Sequence, residues 1–402
     1  MISRPKRRSE IDNRILRLQK WLDHGVRNIG LLYSTGTGKT RVALELWKHI
    51  GAKSVCIFIA ERAHRNNWLD EFKKWQFNLD DYNVVIECYA SMKKHVGKRY
   101  DLVIFDESHH LGSDKRKEYL KYIDFDYAFL LSATMPIKLR CELDNIIGYV
   151  NYDKITMNNA ISMGRLAEPK VKILTFGLED LGGSTELVFN KGKGRKIYIP
   201  WMKRGDYLFN RFKYKGFEVH IPCTWESRNE FHENEVQMWK QKYFDSGIEK
   251  YKQMMLRAGM QRKLFLGEAK TAMAARVIRK LKDRGDRFIV FCSSIEQANR
   301  LGGEHAIHSN MAHPEKIIEQ FNNEEISNIY AVGMLQEGMN LTGIESGLLI
   351  QLDNYERGWI QKMGRVMRAD NPKIYILHIR GTQDDKFLEN VLEGIDNKYI
   401  ER

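Results

Sequence analysis

The sequence contains little cysteine, little proline and no long hydrophobic run. Its 402 residues include five cysteines and seven prolines. The cysteines are scattered, with neither a CxxC pair nor a His/Cys cluster at metal-ligand spacing, so we expect no disulfide framework and no structural metal. No apolar segment approaches the roughly 20 residues that span a membrane, and the basic N-terminus lacks the apolar core of a signal peptide. We therefore expect a cytoplasmic protein without a membrane partner.

Acidic residues are outnumbered as well. The chain has 65 Lys and Arg against 52 Asp and Glu, which gives a formal net charge of +13. Such an excess favours a polyanionic partner, but by itself it supports only non-specific attraction. Nine of the cations and a single carboxylate, Asp206, lie between residues 190 and 216, which we call the basic segment. This segment supplies much of the imbalance and indicates a local nucleic-acid contact.

The basic segment begins with a glycine-rich turn, residues 190–196. Consecutive cations on such a loop gain most from phosphates, although a solvated hairpin tip is the alternative. The predicted nucleic-acid contacts are Lys191, Lys193, Arg195 and Lys196. Six aromatic residues alternate with the later cations: Tyr198, Trp201, Tyr207, Phe209, Phe212 and Tyr214. Aromatic rings there suit either base stacking or the core of a small β domain, and we expect the core for most of them.

A loop of small residues, 34–40, links a predicted strand to a predicted helix. Its backbone N–H groups and the helix N-terminus suit a phosphate. The residues expected to hold the phosphates are Thr35, Gly36, Thr37 and Gly38. Lys39 is placed to reach the β- and γ-phosphates, and the Thr40 hydroxyl to ligate magnesium. Tyr33 stands where the usual P-loop pattern has its first glycine, but the strand, the helix and the carboxylates downstream favour a phosphate site over a plain turn.

Two carboxylates close an apolar run at residues 102–105. Asp106, at the end of a predicted buried strand, suits magnesium binding through water, and Glu107 suits polarising an attacking water. Acids that merely cap a strand end are the alternative. The predicted phosphate loop upstream favours the functional interpretation of the two carboxylates, because nucleotide hydrolysis needs both features.

Two further motifs follow in chain order. Ser132 and Thr134 close another apolar run. Gln361, Arg365 and Arg368 belong to the C-terminal run QKMGRVMR. Any one of these motifs could be accidental, but the ordered set is specific.

With this ordered set the chain resembles a superfamily 2 helicase of the DExH type, over about residues 12–150 and 270–380. In the terms of that family, residues 34–40 resemble motif I and residues 106–109 resemble motif II. Residues 132–134 resemble motif III, which couples hydrolysis to movement. The resemblance implies ATP and Mg²⁺ as cofactors.

Motif VI carries the arginines of the family. The resemblance implies that Arg365 and Arg368 reach from the second RecA-like domain to the γ-phosphate bound by the first. A planar, delocalised guanidinium offers two contacts to a phosphate whose charge spreads in the transition state. Hydrolysis would then require the two domains to close, with His109 meeting Gln361 across the cleft. A solvated helix face is the alternative for the two arginines.

Three other sites follow from the resemblance. Gly338 resembles motif V, where the family contacts nucleotide and nucleic acid. Gln19 precedes the phosphate loop at a place where many relatives grip adenine, and a surface residue is its alternative. Arg62 and His64 resemble motif Ia, which holds a nucleic-acid strand.

The second half of the chain alternates short apolar runs with helical patterns, as parallel βαβ units do. We predict an α/β protein with two tandem RecA-like P-loop domains, parallel sheets, and a small β-rich and helical insert between them. The expected segments are 1–150, 151–282 and 283–402. Residues 170–176 are expected in the β part of the insert.

These features predict an ATP-dependent DNA helicase or translocase, with DNA preferred over RNA and a monomer allowed. Motif spacing and size resemble the phage UvsW-like and DEAD/DEAH-box DNA helicases, so we expect the cytosol of a bacterium or of a phage-infected host. One alternative is a Swi/Snf-like motor that moves along duplex DNA without separating it, although the residues after Arg368 lack the Gly-Gln usual there. Another is a nucleic-acid-binding regulatory module that has lost turnover.

Overall fold

The computed structural model describes residues 4–34, 36–192, 194–333, 341–352, 364, 366, 367, 369–392 and 395–401, with backbone alone at 4–9 and 63. The predicted site residues Thr35, Lys193, Gly338, Gln361, Arg365 and Arg368 lie outside the described residues. No helix in the described ranges combines the length and the apolar character needed to cross a membrane.

The first domain is built on a six-stranded sheet. Its strands are β1 (Asn28–Tyr33), β2 (Ser54–Ile59), β3 (Asn83–Cys88), β4 (Arg99–Asp106), β5 (Asp124–Ser132) and β6 (Val150–Ile155). They lie in the order β3-β2-β4-β5-β1-β6, and each described pairing is parallel. The helices of this domain are α1 (Arg4–Asp23), α2 (Lys39–Ile50), α3 (Ala63–Lys74), α4 (Asp114–Leu120), α5 (Ile137–Ile147) and α6 (Met157–Ser162). Every residue of β1 is buried, as expected for a parallel sheet that helices cover on both faces.

Helices pack on this sheet through apolar stripes. In α1, Ile11, Ile15, Leu18 and Leu22 are buried at intervals of three and four residues, the spacing of one helix face. In α2, the fully buried Trp47 packs its ring 4.5 Å from that of Phe77. α2 therefore begins at a fixed place beside the end of β1, which positions the phosphate loop.

The second domain is built on a seven-stranded sheet. Its strands are β7 (Lys170–Phe176), β11 (Phe288–Phe291), β12 (Ala306–Ile307), β13 (Asn328–Ala331), β14 (Ser346–Leu349), β15 (Lys373–Ile379) and β16 (Ile400–Glu401). Their order is β12-β13-β11-β14-β15-β7-β16, with parallel pairings. Among its described residues the helices with given bounds are α10 (Thr271–Asp283), α11 (Ile295–Gly302), α12 (Pro314–Asn322) and α13 (Gln383–Leu392). Two parallel-sheet α/β domains are the architecture expected for tandem RecA-like domains.

A small sheet and a helical hairpin stand between these domains in the chain. The sheet contains β8 (Thr185–Phe189), β9 (Lys196–Tyr198) and β10 (Glu218–Cys223), in the order β8-β10-β9. β10 pairs antiparallel with β8 and parallel with β9. α7 (Arg204–Phe209) lies in the connection from β9 to β10, and α8 (Trp225–Ser246) and α9 (Glu249–Ala269) form the hairpin. This region contains the β-rich and helical parts expected of the insert.

The sheets divide the chain differently from the expected boundaries at 150/151 and 282/283. β6 begins at Val150 and pairs with β1 of the first sheet. β7, expected in the insert, pairs along its whole length with β15 of the second sheet. α10, expected in the connector, packs its buried face against β11. The apolar pattern of residues 170–176 predicted a strand correctly, but a strand pattern does not identify its partner.

Candidate functional site

The phosphate loop is held between β1 and α2 by its own hydrogen bonds. Both the backbone N–H and the hydroxyl of Ser34 donate to the Ile155 carbonyl, at 3.0 and 3.1 Å. The Thr37 hydroxyl donates to the Ser34 carbonyl at 2.6 Å. Gly38 has φ +97°, and a Cβ built there would meet no atom within 4 Å. Ser34 and Thr37 are thus held in place, and Gly38 has open space beside the N-terminus of α2.

Lys39 lies beside the motif II carboxylates. Its Nζ donates to the Tyr33 carbonyl at 3.2 Å and lies 3.9 Å from Glu107 Oε1. The two side chains are largely but not completely buried. Thr40 follows as the second residue of α2 and is half-buried. We call this place, where β1 and β4 end, the carboxyl edge.

Asp106 is held at the carboxyl edge by two donors. The Trp68 indole N–H donates to Oδ2 at 2.9 Å, and the Glu107 backbone N–H donates to Oδ1 at 3.0 Å. Burial raises the pKa of Asp106, and so does the adjacent Glu107 carboxylate; His64, the Trp68 hydrogen bond and Lys39 act in the opposite direction. The contact of Trp68 with this site is not evident from the sequence, because a tryptophan in a helix usually belongs to the core.

Glu107 has a backbone conformation that residues other than glycine seldom adopt. Its φ is +48° and its ψ is 53°, the left-handed region, and it leads directly into a short 3-10 helix at Ser108–Gly112. Such a backbone costs of the order of 1 kcal/mol or more and concentrates at functional sites. The turn directs the Glu107 carboxylate towards Lys39.

His109 joins motif II to motif III. Its Nδ1 lies 3.1 Å from the Ser132 hydroxyl and 3.4 Å from Glu107 Oε2. The Ser132 hydroxyl donates to the Thr134 carbonyl at 2.7 Å. The contacts therefore run without interruption from Lys39 through the motif II residues to the end of β5.

Tyr33, the departure from the P-loop pattern, points away from the phosphate loop. Its ring is fully buried, and its hydroxyl donates to Asp153 Oδ2 on β6 at 2.5 Å. Burial, followed by the Asp153 charge, raises the pKa of Tyr33. Asp153 also pairs with Arg14 at 2.9 Å and with Arg17, both on α1.

The Tyr33 network explains why the missing glycine does not block the loop. It also fixes α1, the helix that carries Gln19, against the strand before the loop. Gln19 itself is half-buried, and its contact with adenine stays a prediction.

The two motif Ia residues lie in different environments. Arg62 is exposed immediately before α3. His64 is buried, and neither of its ring nitrogens has a hydrogen-bond partner within the described ranges. His64 and Trp68 are four residues apart, so they share the face of α3 that is directed towards Asp106. A surface contact with a strand fits the exposed Arg62 and does not fit the buried His64, because the packing of α3 turns the His64 side chain inward.

The glycine-rich turn of the basic segment is tied to β10. The Gly192 N–H donates to the Glu218 carboxylate, and Lys196 Nζ lies 3.6 Å from the same side chain. Lys191 Nζ lies 3.5 Å from Glu296 on α11. Lys191, Arg195 and Lys196 are exposed, as the predicted phosphate contact requires.

The aromatic residues of the basic segment fall into two groups. Tyr207 is buried in the core under the small sheet, and Trp201 and Tyr214 are partly buried against it. The exposed group contains Tyr198, Phe209 and Phe212. The expected core role therefore holds for half of the six.

Two family models match the chain. The model described as "Type III restriction enzyme, res subunit" matches residues 5–137, and "Helicase conserved C-terminal domain" matches residues 269–370. No curated protein matches. A crystal structure, that of the Pyrococcus furiosus Hef helicase domain, is similar at 13% identity and a TM-score of 0.49, over 92% of this chain and 97% of that chain. The two family matches fall on the first and second parallel-sheet domains respectively.

Proposed function

The chain belongs to the superfamily 2 helicases, and on this premise we propose that it is an ATP-dependent DNA helicase or translocase. The two matched helicase domains support a nucleic-acid-dependent ATPase. The proposal adds ATP as the nucleotide, Mg²⁺ as its metal and DNA as the polymer on which the protein moves. DNA is chosen from the resemblance to DNA helicases.

The observation that carries the proposal is the grouping of Lys39, Asp106 and Glu107 at one edge. Lys39 Nζ stands 3.9 Å from the Glu107 carboxylate, and Trp68 holds Asp106 beside them. A fixed loop of backbone N–H groups, a cation, a hydroxyl and two carboxylates form the donor set that a magnesium nucleotide requires. The open space at Gly38 leaves room for phosphate oxygens.

Each residue has a distinct role in the proposed hydrolysis. Lys39 would bind the β- and γ-phosphates, and Thr40 and Asp106 would hold Mg²⁺, which neutralises phosphate charge. Glu107 would orient the attacking water and polarise it. The ion pair between Lys39 and Glu107 holds both side chains in place before the nucleotide arrives.

Coupling to movement is assigned to the contacts beyond Glu107. Loss of the γ-phosphate would change what Glu107 faces, and His109 would pass that change to Ser132 and so to the Thr134 backbone. Gln361, Arg365, Arg368 and Gly338 are proposed to complete the nucleotide site from the second domain. Arg62, Lys191, Lys193, Arg195 and Lys196 are proposed to hold the nucleic-acid backbone.

The test is ATP hydrolysis by the purified protein without nucleic acid and with single-stranded DNA, duplex DNA, forked DNA or RNA. The control is Lys39→Ala, which removes the phosphate-binding cation. We expect stimulation by DNA that the variant loses. Stimulation by duplex alone would indicate a Swi/Snf-like translocase, and RNA alone would overturn the choice of DNA. Tight DNA binding without turnover would overturn the motor in favour of a regulatory module.

A further inference from the structure

Three aromatic side chains of the basic segment face solvent. Phe209 is 87% exposed, Phe212 is 73% exposed and Tyr198 is 67% exposed. Met202, between them in the chain, is also exposed. Single exposed apolar residues are ordinary, but several large ones within one small unit indicate an interaction surface.

The packing of the small sheet directs these rings outward. Tyr207 and Tyr214 pack their rings 5.1 Å apart on the core side of the β9 to β10 connection. Phe209, at the end of α7, and Phe212, in a 3-10 helix at Arg211–Tyr214, lie between those two anchors and remain exposed. Both side chains lie outside the core of the small sheet, so burial against the protein's own interior is not their role.

Tyr198 belongs to the same unit. It ends β9, pairs in register with His220 of β10, and has its ring 5.1 Å from the His220 ring. The glycine-rich turn joins this unit too: Asn190 Nδ2 donates to the Phe217 carbonyl at 3.2 Å, and the Glu218 N–H donates to the Arg195 carbonyl at 3.2 Å. The exposed rings and the cationic turn are therefore parts of one folded body.

The positive charge around these exposed rings indicates which class of ligand the surface binds. Five further cations stand among these aromatic residues or directly after the last of them: Lys203, Arg204, Arg211, Lys213 and Lys215. Asp206 is the single carboxylate of the segment. Arg204 lies over the Trp201 ring, 3.7 Å from its centroid, and Lys213 lies 6.0 Å from that of Phe212. An apolar protein partner would leave these cations without counter-charges, apart from Arg211, which lies 4.0 Å from Glu235. A polyanion with flat faces satisfies both the rings and the cations.

We propose that Tyr198, Phe209 and Phe212 stack on unpaired bases of a nucleic-acid strand whose phosphates lie along the cations of the basic segment. Base faces are accessible in a single strand and hidden in a duplex, so the surface takes the single-stranded part of a substrate. This inference rests on the proposed function, since it supplies the motor with a separate contact for a strand released from the duplex.

The test is binding of labelled single-stranded and duplex oligonucleotides by the full-length Phe209→Ala/Phe212→Ala variant over a range of salt concentrations. We expect the single-strand dissociation constant to rise about tenfold or more, with little change for duplex. The slope of log K against log salt should stay the same, since every cation that binds a phosphate is still present. Hydrolysis without nucleic acid should also be unchanged.

Two controls separate stacking from general effects. Phe244→Ala removes an aromatic ring that is 71% exposed on α8, outside the basic segment, and should change nothing. Phe209→Leu/Phe212→Leu keeps apolar area but removes the flat ring, so it should bind as weakly as the alanine variant, whereas Phe209→Trp/Phe212→Trp should bind at least as well as wild type.

Several outcomes would overturn the inference. They are unchanged single-strand binding by the alanine variant, full binding by the leucine variant, or an equal loss in Phe244→Ala. Loss of binding to phosphatidylserine vesicles without loss of single-strand binding would assign the surface to a membrane instead. If the wild type neither hydrolyses ATP nor binds any nucleic acid, the proposed function itself fails; if it does both and the variants match it, the stacking surface alone fails.

Discussion

The carboxyl edge of the first domain and the basic segment are both rich in charge, but they hold it differently. At the carboxyl edge, Lys39, Asp106, Glu107 and His109 contact one another or a fixed backbone group, and all are buried or nearly so. In the basic segment most cations are exposed, and the glycine-rich turn is held by the hydrogen bond from the Gly192 N–H to Glu218 of the neighbouring strand β10.

This difference corresponds to two kinds of ligand. A buried, mutually bonded set of charges is preorganised for one small ligand and is little screened by salt, whereas exposed cations are screened within about 10 Å at ordinary ionic strength. The first arrangement suits chemistry on a nucleotide. The second suits a polymer that must slide, because its contacts form and break without a large cost.

The largest effect is expected from Glu107→Gln at the carboxyl edge. The change keeps the shape of the side chain but removes the carboxylate that is proposed to polarise water, so hydrolysis should fall by about 10³-fold. Nucleotide binding, measured with a fluorescent ADP, should stay within a few-fold of wild type. The exposed Glu118 on α4 offers a control, Glu118→Gln, that should leave both unchanged. Hydrolysis at the wild-type rate in Glu107→Gln would remove the catalytic role of this edge.

A different signature is expected when Lys191, Lys193, Arg195 and Lys196 are all changed to Ala. DNA affinity should fall, and the slope of log K against log salt should flatten by about 0.9 for each duplex phosphate that the variant no longer binds. Hydrolysis without DNA should not change, because these cations have no part in the proposed nucleotide site at the carboxyl edge.

The matched control removes four lysines from the helical hairpin, at positions 240, 242, 250 and 252. This second variant has the same net charge as the first, so equal slopes for the two would mean that only overall charge matters and that the turn makes no specific contact.

A moderate effect is expected from Trp68→Phe, which removes the hydrogen bond to Asp106 while keeping an aromatic ring in the core. Hydrogen bonds to charged groups contribute about 1.5 kcal/mol or more. The Mg²⁺ concentration that half-saturates fluorescent ADP binding should therefore rise roughly tenfold.

Trp47→Phe is the control, because Trp47 is equally buried and donates to the Ala52 carbonyl at 2.9 Å, away from Asp106. Similar losses of thermal stability in both variants, with no difference in Mg²⁺ dependence, would reduce Trp68 to a core residue.

The smallest effect concerns pH and His220, which lies on β10 next to β9 of the basic segment. Burial disfavours protonation of His220, but the Glu186 and Glu218 carboxylates outweigh it and raise the pKa of His220. Glu186 lies on β8 and Glu218 on β10, where Lys196 of β9 also pairs with Glu218. Because the folded state binds the proton more tightly, the stabilisation is complete below the unfolded pKa of about 6.5 and is lost as pH rises through the folded pKa.

Thermal unfolding of wild type and His220→Gln checks this linkage. Wild type should lose a few degrees of Tm relative to the variant between about pH 6 and pH 8, the interval that begins near the unfolded histidine pKa. Parallel curves for the two proteins would show that the His220 pairs make no pH-dependent contribution to stability.

Much of the fold and of the carboxyl edge could be predicted from contiguous residues. The loop before α2 and the carboxylates after the apolar run 102–105 each carry their chemistry within a few positions, and the sheet places strand ends together. The position of His64 could not be predicted, since motif Ia residues are expected at a surface and only the packing of α3 turns this side chain inward. The division of the six aromatic residues into core and surface could not be predicted either, because their spacing from 198 to 214 follows no regular period.

The sequence by itself determined the local chemistry. It determined which loop and which carboxylates follow the strands, and how charge is distributed along the chain. Tertiary structure alone decided the long-range partners. Trp68 reaches Asp106 across 38 positions, Tyr33 reaches Asp153 across 120, and β7 joins β15 across about 200. The physical reason is that strand and loop patterns arise from neighbouring residues, whereas the choice of partner depends on how whole faces pack, which is a property of the folded chain.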